Sequence, residues 1–66
     1  MMIEKLQEYF KNEYESLVGV PDKDARWYAV QRCLGAVEFV EMTNPGIDFD
    51  SLKSLFEYYT EKIMAG

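Results

Sequence analysis

The stretch that decides the fold is DKDARWYAVQRCLGAVEFVEMT, residues 22–43 of a 66-residue chain. Its small and branched apolar residues recur at steps of three and four, so they form one stripe along a helix. The stripe comprises Val30, Cys33, Val37 and Val40, with Ala29 and Ala36 beside it. Larger apolar side chains flank it, with Trp27 and Leu34 on one side and Tyr28 and Phe39 on the other. A helix that is apolar over most of its circumference is normally surrounded, so we expect this one to be the central element.

Glycine and proline mark the ends of this helix and of its two neighbours. Gly19 can adopt the left-handed conformation that follows the last turn of a helix, and Pro21 cannot continue one. Asp22 can accept a hydrogen bond from the free amide groups in the first turn of the central helix. After that helix, the sequence NPGI at residues 44–47 suits a type II turn, with proline second and glycine third. We therefore expect an interruption on either side of the central helix.

The two outer segments each carry one apolar face. In the first, apolar residues again recur at steps of three and four, and they are Ile3, Leu6, Phe10, Tyr14 and Leu17. The third segment opens with Asp48 as N-cap, between the hydrophobic pair Ile47 and Leu52. Its apolar stripe consists of Leu52, Leu55, Phe56, Tyr59 and Ile63. The three patterns predict helices at residues 2–18, 22–43 and 48–64.

Short connections make neighbouring helices antiparallel. The predicted fold class is therefore all-α, a small antiparallel three-helix bundle formed by a single domain, residues 1–66, and completed by homodimerisation. We expect Phe56 to be fully buried. The predicted core comprises Ile3, Leu6, Phe10, Leu17, Val30, Cys33, Val37, Val40, Leu52, Leu55, Phe56, Tyr59 and Ile63.

The short length limits what this core can supply. A chain of this size buries only about 60% of the surface that its unfolded form exposes, and disulfides, metals or oligomers usually supplement such a core. The chain has one cysteine and no histidine, so we expect no disulfide and no metal, which leaves self-association. No segment approaches the roughly 20 apolar residues of a membrane span. We therefore expect no membrane contact and, by default, a cytoplasmic location.

Two acidic pairs invite a calcium-site interpretation, but the remainder of a calcium loop is missing. Such loops place oxygen ligands at alternate positions, and the position after Asp48 and Asp50 is apolar. The pair Asp22 and Asp24 fails in the same way, and capping with helix-dipole charge accounts for both pairs. Cys33 has no histidine to activate it as a nucleophile. We expect no catalytic, cofactor-binding or metal site, and no enzymatic activity.

The charge distribution argues against nucleic-acid binding. A recognition helix needs cations that face phosphate groups, whereas the third helix offers only two lysines against three acidic residues. The chain carries 12 acidic and 7 basic side chains, a net charge of −5, so DNA would repel it. The alternative function is an atypical acidic DNA-associated regulator, or an inhibitor that mimics nucleic acid.

The excess of large apolar residues favours a protein-binding function. Trp27 and Tyr28 are adjacent, and neighbours on a helix point about 100° apart, so a single buried face cannot easily hold both. Burial of both flanks between two neighbouring helices is the competing interpretation. We predict a non-catalytic interaction module that forms a two-fold homodimer or binds another, unidentified protein. The predicted partner-binding residues are Trp27, Tyr28, Leu34 and Phe39, with Tyr9 or Tyr58 at the margin.

Overall fold

The computed structural model describes residues 2–65 of the chain. Over that range the chain forms three helices, which are α1 (Met2–Ser16), α2 (Lys23–Thr43) and α3 (Phe49–Ala65). Each helix packs against the other two, in a bundle that measures 38 × 16 × 15 Å. The predicted all-α three-helix fold is confirmed.

The contacts of one side chain give the directions of the helices. Arg26, in the first turns of α2, bonds to backbone carbonyls at Leu17 and Ile63. Leu17 immediately follows α1, and Ile63 lies in the last turn of α3. The start of α2 therefore lies beside the ends of both other helices, so α2 runs antiparallel to α1 and to α3.

The connection between α1 and α2 begins earlier than the sequence pattern indicates. The amide of Leu17 donates to the carbonyl of Tyr14 at 3.0 Å, and that of Val18 to Glu15 at 3.3 Å. These bonds span three residues, so the chain tightens and α1 ends at Ser16 rather than at residue 18. Gly19 then takes a φ of 81°, the left-handed conformation that was predicted for it.

The connection between α2 and α3 is a turn closed by a hydrogen bond, but it is not of type II. The amide of Ile47 donates to the carbonyl of Asn44 at 2.9 Å, as in a β-turn. A type II turn requires positive φ at its third residue, and Gly46 does not have it. The turn prediction was wrong in this respect, because Pro45 fits the second position of a type I turn equally well.

Both predicted N-caps are present. The carboxylate of Asp22 accepts a hydrogen bond from the amide of Asp24 at 2.9 Å. That of Asp48 accepts from the amide of Ser51 at 3.2 Å and from its hydroxyl at 2.7 Å. These hydrogen bonds lower the pKa of Asp48. The aspartates therefore act as helix caps, as the sequence predicts.

The core follows the predicted stripes, with corrections at their edges. The buried apolar residues are Leu6, Phe10, Leu17, Ala29, Val30, Cys33, Val37, Val40, Leu52, Tyr59 and Ile63. Ile3, in the first turn of α1, is only partly buried, and so are Leu55 and Phe56. The last two lie on opposite sides of the line through the buried residues of α3, so they cover the edges of the core. The expectation that Phe56 is fully buried was wrong.

Arg26 is a charged residue inside this apolar core. Only 9% of its surface is exposed, because it lies on the same face of α2 as Val30 and Val37. Its Nη1 donates to the carbonyl oxygen of Ile63 at 2.7 Å. Its Nη2 donates to the carbonyl oxygens of Val20 at 2.8 Å and Leu17 at 3.3 Å. One guanidinium on α2 therefore bonds both to α3 and to the connection that follows α1, at the same end of the bundle.

Truncation of the fully buried ring should cost more than truncation of the half-buried one. Phe10 has no exposed surface, and its ring centre lies 5.9 Å from that of Tyr59. We expect Phe10→Ala to lower the free energy of unfolding by about 3–5 kcal/mol, and Phe56→Ala to lower it by roughly half as much, because less area is lost. Urea unfolding followed by circular dichroism measures both values. Equal losses would contradict the difference in burial.

Removal of the Arg26 guanidinium should destabilise the bundle although the aliphatic part remains. Arg26→Met keeps the apolar stem but leaves three carbonyl oxygens without this donor, so we expect a loss of about 2–4 kcal/mol. Arg26→Lys serves as the control, because its ammonium can restore some of these bonds. Its stability should lie between that of the parent protein and that of Arg26→Met. Thermal unfolding measures the order. A methionine variant as stable as the parent protein would show that these hydrogen bonds contribute nothing net.

Candidate protein interface

The side of α2 that faces away from the bundle carries large apolar side chains. Tyr28 and Phe39 are each 61% exposed, and Trp27 is 53% exposed. Neither α1 nor α3 therefore buries the adjacent pair of Trp27 and Tyr28, and the interpretation that both flanks are covered within the monomer was wrong. The inward side of the same helix is fully used by the core. An exposed apolar surface on a helix with a buried opposite side is available to a partner.

The flanks of α2 lie beside different helices. Arg32 donates from Nε and Nη2 to one carboxylate oxygen of Glu13 on α1, at 2.9 and 2.7 Å, and these hydrogen bonds raise the pKa of Arg32. Arg32 lies one turn after Tyr28, so the two residues are on the same flank of α2. The flank that carries Tyr28 and Phe39 is therefore the one nearer α1. The opposite flank carries Trp27 and the partly buried Leu34.

The two predicted marginal tyrosines lie on different sides of the bundle. Burial raises the pKa of Tyr9, and the nearby Glu13 and Cys33 add to this effect while Arg32 opposes it. Tyr9 thus lies where α1 meets α2, beside the flank that carries Tyr28.

Tyr58 lies on the far side. The ammonium of Lys62 is 4.7 Å from the ring centre of Tyr14 on α1 and 5.2 Å from that of Tyr58 on α3. Tyr58 therefore lies along the groove between α1 and α3, on the side of the three-helix bundle opposite α2. The structure brings Tyr9 close to the α2 residues and leaves Tyr58 apart from them.

Two further residues belong to the outward side of α2 and are not among the predicted partner-binding residues. Met42 is 76% exposed, and Gly35 is also exposed. Each is seven residues from the next in the series that begins at Tyr28. Seven residues make almost two full turns, so successive members are rotated by only about 20° and lie on one side of the helix. We call Tyr28, Gly35, Phe39 and Met42 the outer stripe. The interval of seven is the sequence signal that could have found it.

Nothing within the monomer gives a steric reason for a glycine at position 35. A Cβ atom built on it meets nothing within 4 Å, although glycine inside a helix costs roughly 1 kcal/mol relative to alanine. Nothing in the bundle therefore requires the absence of a side chain at this position. A requirement would have to come from a group that approaches the outer stripe from outside.

The remaining candidate chemistry of the sequence has structural roles. Cys33 is buried in the core, and burial raises its pKa to about 11, so almost none of it is the nucleophilic thiolate at neutral pH. Among residues 2–65, no three histidine, cysteine or acidic side chains are grouped so that they could hold a metal ion. Within the same residues, no helix has both the length and the hydropathy to cross a bilayer.

Ionisation of Cys33 should make the fold less stable at alkaline pH. The unfolded thiol ionises near its ordinary pKa of about 8.5, whereas the folded one stays protonated up to about pH 11. Stability from the protonated thiol is therefore complete below about pH 8.5 and is lost as the pH rises toward 11, by on the order of 2 kcal/mol. The difference in unfolding free energy between the parent protein and Cys33→Ala, followed from pH 8 to pH 10.5, measures this. A constant difference would contradict the shift.

Comparisons with known proteins gave no matching family model, no matching curated protein and no matching solved structure.

Proposed function

We propose that this chain is a non-catalytic protein–protein interaction module that pairs with a second copy of itself through the outward side of α2. The observation that supports this most directly is the 61% exposure of both Tyr28 and Phe39, on a helix whose inward side is already buried. Tyrosine, phenylalanine and methionine are enriched in protein interfaces. Removal of their apolar surface from water lowers the free energy when a partner covers them. The outer stripe contains all three residue types.

The size of the domain is a second reason for association. A single core of fewer than about 70 residues rarely supplies more than 3–5 kcal/mol, and the one cysteine is buried and free, so no disulfide adds to it. Pairing would add buried apolar area to a thin core. Two-fold pairing is the commonest form of oligomer. We propose the cytoplasm as the location, since a free thiol is compatible with a reducing compartment.

The interface in this proposal follows the flank of α2 that is nearer α1. Tyr28 and Phe39 are its anchors, Tyr9 lies at one margin, and Trp27 and Leu34 lie at the other. Of the two tyrosines predicted for the margin, the contacts of Tyr9 favour its inclusion. Tyr58, on the α1–α3 side, is left outside the interface.

The proposal is tested by the oligomeric state at micromolar concentration. We expect sedimentation velocity to give a species of twice 7.7 kDa, and Phe39→Ala to raise the dissociation constant about 30-fold, as expected for a loss of about 2 kcal/mol at an aromatic anchor. Tyr28→Ala should weaken pairing in the same direction. The matched control is Tyr58→Ala, which removes a tyrosine of similar exposure, 55% against 61%, from the other side of the bundle and should leave the dissociation constant unchanged.

Two results would count against the proposal. A clean 7.7 kDa species would exclude self-association. If the dimer survives both Trp27→Ala and Phe39→Ala, the chain self-associates but the interface lies elsewhere.

A further inference from the structure

We propose that the groove between α1 and α3 is a binding site for a quaternary ammonium group, and that the ammonium of Lys62 occupies this site in the free protein. The site is formed by Tyr14 of α1 and by Tyr58 and Tyr59 of α3, which we call the tyrosine cage. It lies on the side of the bundle away from the outer stripe, so this inference goes beyond the proposed self-association and does not rest on it.

Three aromatic rings surround the ammonium of Lys62. Its Nζ is 4.7 Å from the ring centre of Tyr14, 5.2 Å from that of Tyr58 and 5.9 Å from that of Tyr59. All three distances are within the roughly 6 Å over which a ring attracts a cation. The rings of Tyr58 and Tyr59 are nearly perpendicular, at 89°, and the ring of Tyr14 belongs to another helix. The rings therefore face the cation from different directions.

The ammonium of Lys62 is held by these rings and not by a carboxylate. Two salt bridges join side chains within residues 2–65, and Lys62 belongs to neither of them. Its Nζ donates a hydrogen bond of 3.5 Å to the hydroxyl oxygen of Tyr58, which is long for a donor that carries a charge. A primary ammonium is strongly hydrated, so it gives up good hydrogen bonds to water when it enters the cage. A cation without N–H groups loses less, and quaternary ammonium groups are the ligands that aromatic cages recognise.

The cage has room for the methyl groups of such a cation. Carbon atoms in contact are about 3.5–4.0 Å apart. The nitrogen position that Lys62 now fills lies between 4.7 and 5.9 Å from the three ring centres. Methyl groups on a nitrogen at this position would therefore lie against the ring faces without overlapping them.

The present occupant can leave the cage. Tyr58 is 55% exposed, and both Lys62 and Tyr14 are partly exposed. The ammonium of Lys62 ends a flexible four-carbon stem, so it can move into water without a change in the helices. Because it is tethered beside the cage, its effective concentration there is high. Lys62 is therefore an internal competitor that any external cation must displace.

The identity of this competitor indicates the source of the ligand. A lysine head group already fits among the three rings, so we assign the site to the trimethylated lysine side chain of a partner protein. Methylation of lysine keeps the positive charge, and the net charge of −5 on this chain attracts a cationic partner. A free quaternary amine shares the head-group chemistry and serves as the simpler probe.

The first experiment tests the role of Lys62 by titration with tetramethylammonium chloride, followed by NMR of the tyrosine rings. We expect Lys62→Ala to bind with a dissociation constant of roughly 10 mM, and the parent protein to bind about fivefold more weakly because Lys62 competes. The matched control is Lys53→Ala, which removes a lysine from the same helix but outside the cage and should bind as the parent does. Sodium chloride at equal concentration controls for ionic strength.

The second experiment removes one wall of the cage and leaves Lys62 in place. We expect Tyr58→Leu to weaken tetramethylammonium binding by the parent protein about fivefold, as expected for the loss of one ring. Tyr28→Leu is the matched control, because it removes an exposed tyrosine from the outer stripe and should leave this affinity unchanged. Circular dichroism establishes that each variant is folded, and this comparison remains valid if Lys62→Ala does not fold.

The third experiment tests the source of the ligand with a glycine–serine peptide that contains one trimethyllysine. We expect this peptide to bind more tightly than both tetramethylammonium and the same peptide with unmodified lysine. Binding no tighter than tetramethylammonium would overturn the assignment to a partner's lysine side chain.

Two other results would overturn the site itself. In one, Lys62→Ala binds tetramethylammonium no more tightly than Lys53→Ala, so Lys62 does not occupy the site. In the other, Tyr58→Leu binds as Tyr28→Leu does, so the rings do not form it. None of these measurements depends on the oligomeric state, so failure of the tyrosine cage and failure of the proposed self-association are distinguishable.

Discussion

The guanidinium of Arg26 determines how the three helices meet. A charge inside a small apolar core is costly unless hydrogen bonds replace its hydration, and here backbone carbonyls supply them. Two of these carbonyls belong to the connection that follows α1, and the third belongs to the last turn of α3. The last carbonyls of a helix lack partners within it, and Arg26 donates to such a carbonyl at Ile63, whereas the carbonyl of Leu17 also accepts from the amide of Val20 at 3.0 Å. The bundle can therefore close tightly at this end without exposing those groups to water.

This arrangement leaves α2 with two different apolar faces. The inward face consists of small residues such as Ala29, Val30 and Cys33, which let the helices approach closely. The outward face carries the larger rings of Tyr28 and Phe39, which the bundle does not cover. Size thus divides the apolar residues of α2: small groups fill the interior, where space is limited, and large groups remain where another molecule could surround them.

Much of the fold follows from the sequence because it depends on local patterns. The caps at Asp22 and Asp48 and the left-handed Gly19 are recognised from residue type and position alone. The interior position of Arg26 was not predicted, because its acceptors are backbone carbonyls, which have no signature in the sequence. The partial exposure of Phe56 was also missed, because a helical pattern gives the direction of a side chain but not how far the neighbouring helix extends over it.

The candidate interface shows the same division. The angular separation of Trp27 and Tyr28 correctly indicated that the bundle does not bury both. Met42 was missed because the apolar pattern was measured from the inward-facing residues of α2, whereas Met42 is related to Tyr28 by two intervals of seven residues. The separation of Tyr9 from Tyr58 depends on how the three helices are arranged, and no pattern within a single helix contains that information.

The bonds of Arg26 also bear on the order of events in folding. Arg26 and Ile63 are 37 residues apart, so joining them requires α3 to have formed and docked, whereas helices and short turns form locally and fast. If this contact is absent from the transition state for folding, its strength changes the unfolding rate rather than the folding rate. The same guanidinium also bonds to Val20 and Leu17, which are 6 and 9 residues away, so one side chain joins a local connection of the chain to its most distant helix.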